Sequence, residues 1–291
     1  MSSKYIKSPF TMEDTLVMAI NPLTEQDVLR DLASSASSSI RMYVAMNPST
    51  HSKILEKLSK DSTSGVLYAV ATNPYTPRKV LRSLSKNEDL GVRESLCLAE
   101  DLPTDVILSL SKDRTALVRA RLAERKDLPK HIITKLLKDE SRLVRGTMAS
   151  NKCLSEEVIN GLLSRRDLYI REGIAKNRSS TTHVLKRLSN SKCSFILCSV
   201  ADNENCSSEI LTKLSKSEFN SVRECVARNV NCLPEDLLKL SEDKDMWVRY
   251  MVASNASTSK EAVRNLLIDK EDSVRESAQR HRHAEDMAAF F

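Results

Sequence analysis

The chain has 291 residues, a net charge of +6 and an isoelectric point near 8.9. Only 5 glycines and 4% aromatics disfavour a turn-rich β fold, and 29% charged residues suit helices with much exposed surface. The basic excess is mild, so it permits a nucleic-acid partner without requiring one.

Residues 1–20 begin with MSSKYIKSPF, which has no apolar run of the kind a secretory leader needs. The following MEDTLVMAI reads as the second helix of a degenerate capping half-repeat, with Met18 and Ala19 at its buried positions. No stretch approaches the roughly 18 apolar residues of a membrane span. The seven cysteines are an odd number, and a reduced cytoplasmic chain is expected.

From 21 to 280 the chain repeats itself ten times with a period of 26 and no insertion. Leu32, Leu58 and Leu84 head an unbroken leucine column that ends at Leu266. Eight residues after each leucine comes Val or Ile, as in Val118, and five further comes a small residue, as in Ala123. Each unit opens at an asparagine column, Asn21 to Asn255, broken by Ala99 and Arg125.

Each unit predicts two short helices. In the first, apolar residues such as Val80, Leu81 and Leu84 fall on one face. Thr24, Thr50, Thr76 and Ser155 are expected to cap its free N–H groups, with Pro77, Pro103 and Pro129 in its first turn. The second helix should end at the asparagine, a residue that tolerates a left-handed backbone, before a proline such as Pro48. A pair this short cannot bury its apolar face alone, so stacked copies must share a core, as in an α-solenoid. Residues 281–291 are expected to form a C-terminal tail.

The pattern N-P-x-T-x-x-x-V-L-x-x-L followed by V-R-x-x-V-A, as in NPLTEQDVLRDLA and IRMYVAMNP, resembles the leucine-rich repeat variant, a HEAT-like family. The resemblance spans roughly residues 13–280. It implies an all-α, right-handed α-solenoid whose second helices tighten in places toward 3₁₀ geometry, and it implies no single activity. The family's founding type carries an iron–sulfur centre on an N-terminal cysteine cluster. Here the first cysteine is Cys97, so no cofactor is carried over.

Arginine follows the buried Val or Ile in most repeats: Arg41, Arg93, Arg119, Arg145, Arg171, Arg223, Arg249 and Arg275, interrupted by Leu67 and Leu197. Such a ladder could grip a phosphate backbone. A residue present in nearly every unit is better read as part of the unit, its stem on the core and its guanidinium on a carbonyl or on a carboxylate such as Asp113 or Asp139.

Departures from the repeat are the better candidates for function. Between Lys112 and Arg145 stand eleven basic and five acidic residues, and Arg114, Arg121, Arg125 and Arg142 join Arg145 as candidate anion contacts. The aromatics Tyr43, Tyr68, Tyr169, Phe195, Trp247 and Tyr250 all fall on second helices. Aromatics and arginines anchor interfaces, so the second-helix face is the expected binding surface, with Tyr68, Tyr169, Trp247 and Tyr250 as its candidate anchors. Cysteine and histidine spacings match no metal motif, and no P-loop, G-x-S-x-G or H-E-x-x-H is present. The sequence predicts a non-enzymatic scaffold for a protein or peptide partner. The alternative is a nucleic-acid binder that uses the basic mid-section, and a more remote one is a HEAT-like DNA glycosylase.

Overall fold

The computed structural model describes residues 11–288, with side chains through His281. Among the described residues there are 21 helices and no strands. The chain divides into two compact units, Met1–Val144 and Arg145–Phe291, with the division inside the helix Arg142–Ser150.

The first unit opens with Met12–Ile20, the capping half-repeat. Thr11 and Asp14 close a capping box at its start, and Ala19 is fully buried. Thereafter the two kinds of helix alternate. The first helix of each repeat is seven residues long, as in Gln26–Leu32 and Lys130–Leu136. The second helices run Ser38–Met46, Ser64–Thr72, Leu90–Leu96 and Ala116–Ala123 in the first unit. In the second unit they run Leu168–Lys176, Ser194–Ala201, Asn220–Arg228 and Met246–Ser254. The last helix, Asp272–Ala288, continues unbroken through the start of the expected tail at 281.

Within each unit, successive second helices pack side by side and first helices pack on the second helix of their own repeat. The core is the set of columns read from the sequence. Leu29, Leu55, Val118, Leu122, Ala123, Leu136, Ile174 and Leu211 are fully buried. Helices this short would be marginal in water, and the shared apolar face supplies their stability. Second helices end in a tightened i→i−3 turn both at the asparagines and at the breaks in their column: Asn177 N–H donates to Ile174 O and Asn255 N–H to Val252 O, as Ala99 N–H does to Leu96 O and Arg125 N–H to Leu122 O.

Two local expectations are corrected. Thr24, Thr50 and Thr76 do not cap the first helices, whose N-cap positions fall one residue later, at Glu25, His51 and Pro77. Their hydroxyls instead donate backward to the last turn of the preceding second helix: Thr24 to Met18 O (2.7 Å), Thr50 to Val44 O (2.5 Å) and Thr76 to Val70 O (2.5 Å). A buried helix end leaves carbonyls without partners, and this hydroxyl is the nearest donor. Ser155 does cap, accepting from Val158 N–H. Pro77, Pro103 and Pro129 take the N-cap position itself, just ahead of the first turn.

The asparagines are not left-handed, and among the described residues no backbone has positive φ. Asn47 is extended, at φ −63 and ψ 125. Its value lies in its amide. Asn47 Nδ2 donates to Ala19 O and Asn21 O, both at 2.9 Å, while its Oδ1 accepts from Ser49 N–H. Asn73, Asn177, Asn203, Asn229 and Asn255 repeat this bridge to carbonyls 26 and 28 residues earlier. The column is an amide ladder that ties these repeats to their predecessors.

Candidate functional site

The second helices present two edges. One carries the arginine column. Arg41, Arg93, Arg119, Arg223 and Arg249 each hold a carboxylate 20 residues on: Asp61, Asp113, Asp139, Asp243 and Asp269. In Arg93 the Nε donates to Asp113 Oδ2 (2.6 Å), Nη2 reaches Oδ1 (3.2 Å), and Nη1 donates to Asn87 O (2.8 Å). The Asp in turn accepts the N–H two residues ahead, as in Thr115 to Asp113 Oδ1 (2.8 Å). These guanidinium groups are buried, Arg41 less so than the others, and are engaged by internal partners, so the ladder is structural in these repeats. Arg145 pairs with Asp167 (2.6 Å), because Arg165 occupies the usual aspartate position. Arg275 bonds Asp269 O and Asp272.

Arg41 holds the Asp61 carboxyl below the usual carboxylate range, with the Thr63 N–H assisting against the opposing effect of burial. Burial would raise Asp243, but Arg223 and the Asp245 N–H bring it below its ordinary value.

The basic mid-section is largely spent on internal partners. Arg121 lies between Glu94 (3.2 Å) and Glu124 (2.7 Å). Arg114 donates to Glu88 O. Lys135 Nζ donates to Ser111 O (2.7 Å), and burial moves its pKa down. Arg142 is exposed. Arg125 looked distinctive only because it breaks the asparagine column. Its Nη1 donates to Cys97 O (2.9 Å) and Ala99 O (2.5 Å), the two carbonyls an asparagine would bridge, and its Nη2 pairs with Asp127. The side chain is buried and serves the ladder, so it offers a ligand little surface.

The other edge is apolar and open. In the second unit Tyr169, Phe195 and Trp247 occupy one column on three second helices, with Ser221 on the helix between the last two. Phe195 is 73% exposed and Trp247 52%. Tyr169 is exposed to a smaller degree. Trp247 meets Tyr250 edge to face at 6.0 Å, which fixes the indole against its own helix. In the first unit Leu117 holds the same column, exposed, while Tyr68 is tied through its hydroxyl to Asp89. Phe195, absent from the anchors chosen by sequence, is the most exposed aromatic of this row. Its column position was visible, but nothing in its neighbours said whether it turned inward.

Beside that row lie Cys198 and Cys225. The Cys225 thiol donates to Cys198 and lowers its pKa to about 7, against the effect of burial. Cys225 is itself raised. Arg228 Nη2 lies 3.7 Å from Cys225 Sγ and pairs with Asp202. Cys206 and Cys232 are buried, and burial pushes both thiols up to about 12. Among the described residues, no three His, Cys, Asp or Glu side chains gather at metal-binding distance. Among them too, no helix is long and apolar enough to cross a membrane.

No family model and no curated protein matches the chain. A solved leucine-rich repeat variant with a repetitive structural motif aligns over 77% of this chain and 88% of its own, at 22% identity and a TM-score of 0.50. An engineered protein aligns over 93% and 94% of the two chains at 17% identity, with a TM-score of 0.28. A designed armadillo repeat protein aligns over 89% and 99% at 14% identity, with a TM-score of 0.18. The chain thus has the fold of a leucine-rich repeat variant, an all-α solenoid of helical repeats.

Proposed function

We propose that this chain is a non-enzymatic cytoplasmic scaffold that binds an extended protein segment along its second-helix face. The observation that carries the reading is the row Tyr169, Phe195 and Trp247, large apolar side chains held open to solvent in register on packed helices. Exposed apolar surface of this kind marks an interaction site. Packed helices lie about 8–10 Å apart, and an extended chain advances about 3.3 Å per residue. A bound segment would therefore place an apolar side chain about every third residue, with the bulkiest over Ser221. Glu172 and Glu224 stand beside the row and favour basic residues in the partner. The cytoplasmic placement rests on the seven cysteines, an odd number that suits reduced thiols.

The nucleic-acid alternative draws on the basic mid-section, where Arg119, Arg121, Arg125 and Arg145 already hold carboxylates. It has correspondingly less support. The test is a peptide library panned against the whole chain, followed by titration of the selected peptides. Trp247 is the single tryptophan, so its emission reports binding directly. Phe195→Ala should weaken selected peptides at least tenfold, and Arg114→Glu should leave them unchanged. Selected peptides indifferent to both Phe195→Ala and Trp247→Ala would overturn the reading. A DNA or RNA shift lost on Arg114→Glu would replace it with the alternative.

A further inference from the structure

We infer that Ser191 is a phosphorylation site whose phosphoryl group completes an ion pair with Arg171. Arg171 is an exception in the arginine ladder. Five ladder arginines have an aspartate 20 residues on, and where the arginine is replaced by Leu67 or Leu197 the aspartate is replaced too, by Asn87 or Ser217. In those seven repeats charge is kept on both sides or dropped on both, and Arg145, which faces Arg165, takes Asp167 instead. At Arg171 the arginine is kept, but position 191 is serine. Arg171 Nε is buried and has no hydrogen-bond partner.

The defect is one atom wide. In the complete pairs, aspartate Oδ1 accepts the N–H two residues ahead, as in Asp245 to Asp243 (2.9 Å), and Oδ2 takes the arginine Nε, as in Arg223 to Asp243 (2.6 Å). Ser191 Oγ already accepts from Cys193 N–H at 3.1 Å, so it stands in the place of Oδ1. What is missing is the equivalent of Oδ2, and the orphaned nitrogen is Nε, its partner. The oxygens of a phosphate monoester are spaced nearly as those of a carboxylate. A phosphoryl group on Oγ would set an anionic oxygen against Nε and form the charge-assisted pair the other repeats possess.

The surroundings favour an anion. Arg165 and Arg166 occupy the turn positions that hold Asp139 and Glu140 one repeat earlier, and Lys192 follows Ser191. Two carboxylates stand close to Arg171 in sequence: Glu172 is paired with Lys176 (2.6 Å), and Asp167 is engaged by Arg145 and by the N–H groups of Tyr169 and Ile170. Ser191 is half-exposed in a turn, open to an enzyme. In the reaction a protein kinase brings ATP, and Ser191 Oγ attacks the γ-phosphorus. The bond to the β–γ bridging oxygen breaks, ADP leaves and the hydroxyl proton passes to the kinase's base.

The experiment uses the whole chain with phosphoserine encoded at position 191, and Ser191→Asp beside it. Both should melt a few degrees above the parent. In an Arg171→Leu background, which copies the natural Leu197 and Ser217 pair, the gain should vanish. That background is expected to fold, and if it does not, Arg171→Gln serves the same comparison. No gain from either change, or an equal gain without Arg171, would overturn the inference. Inorganic phosphate that raised the melting point of the unmodified chain as much as phosphoserine does would overturn it too, making the site one for free anions.

Discussion

Arg93 and Asp113 meet through two parallel hydrogen bonds with both side chains about 5% exposed, 20 residues apart in sequence and on adjacent repeats. A buried ion pair contributes little net stability when intact, but removing one partner strands the other charge. Asp113→Ala should therefore cost about 3–5 kcal/mol in denaturant unfolding. The double variant Arg93→Leu with Asp113→Asn, which copies Leu67 and Asn87, should recover most of that loss. Equal losses in single and double variants would mean the pair's charge is not what matters.

The amide ladder makes a second prediction. Asn177 is fully buried and bridges Ala149 O and Asn151 O. Asn177→Ala takes a donor from both carbonyls, of which Asn151 O keeps the Leu154 N–H, and should cost about 1–3 kcal/mol. Arg125→Asn should be milder than Arg125→Ala, because asparagine is the ladder's own residue. Urea titrations of the three variants check the order.

In the core, Leu136→Ala truncates a fully buried side chain. A loss of about 2–5 kcal/mol is expected. A melting curve matching the parent's would place Leu136 outside the core.

Acid should weaken the fold in a defined window. The folded-state pKa of Asp61 lies below its unfolded value of about 3.9. Its contribution is complete above that value and lost as pH falls through the folded pKa. Urea midpoints should hold steady from pH 7 to about 4.5 and fall below about 4. In Arg41→Leu with Asp61→Asn, the fall should be shallower.

Cys198 should be the fast thiol. With its pKa lowered to about 7 by the Cys225 donor, its alkylation by iodoacetamide should rise through neutral pH, as only the thiolate reacts. Cys225→Ala removes the donor, so the pH profile should shift upward and the rate at pH 7 fall. Peptide mass spectrometry reads both.

The fold was legible because a period held over ten copies leaves one packing solution, and the Leu, Val and Ala columns map directly onto buried positions. Contacts that cross repeats were harder to read. Thr50 has the chemistry of a helix cap, and only the approach of the preceding helix end sends its hydroxyl to Val44 O instead. Asn47 fits a left-handed end on local preference, whereas its actual partners lie 26 and 28 residues back. Arg125 seemed a functional departure because a sequence column shows identity, not reach, and a guanidinium can span what an amide spans. The orphaned Arg171 was present in the sequence as a mismatch with Ser191, but that became readable only once Arg93 and Asp113 were seen together.

The asparagine ladder also gives the molecule a direction of assembly. Each amide looks back toward the N-terminus for its acceptors, as Asn203 does to Ala175 O and Asn177 O. On a ribosome, a newly emerged repeat that carries the asparagine has its acceptors in chain already synthesised. Synthesis and stacking can then advance together, one repeat at a time, and a chain shorn of its leading repeats loses acceptors that its trailing repeats cannot replace.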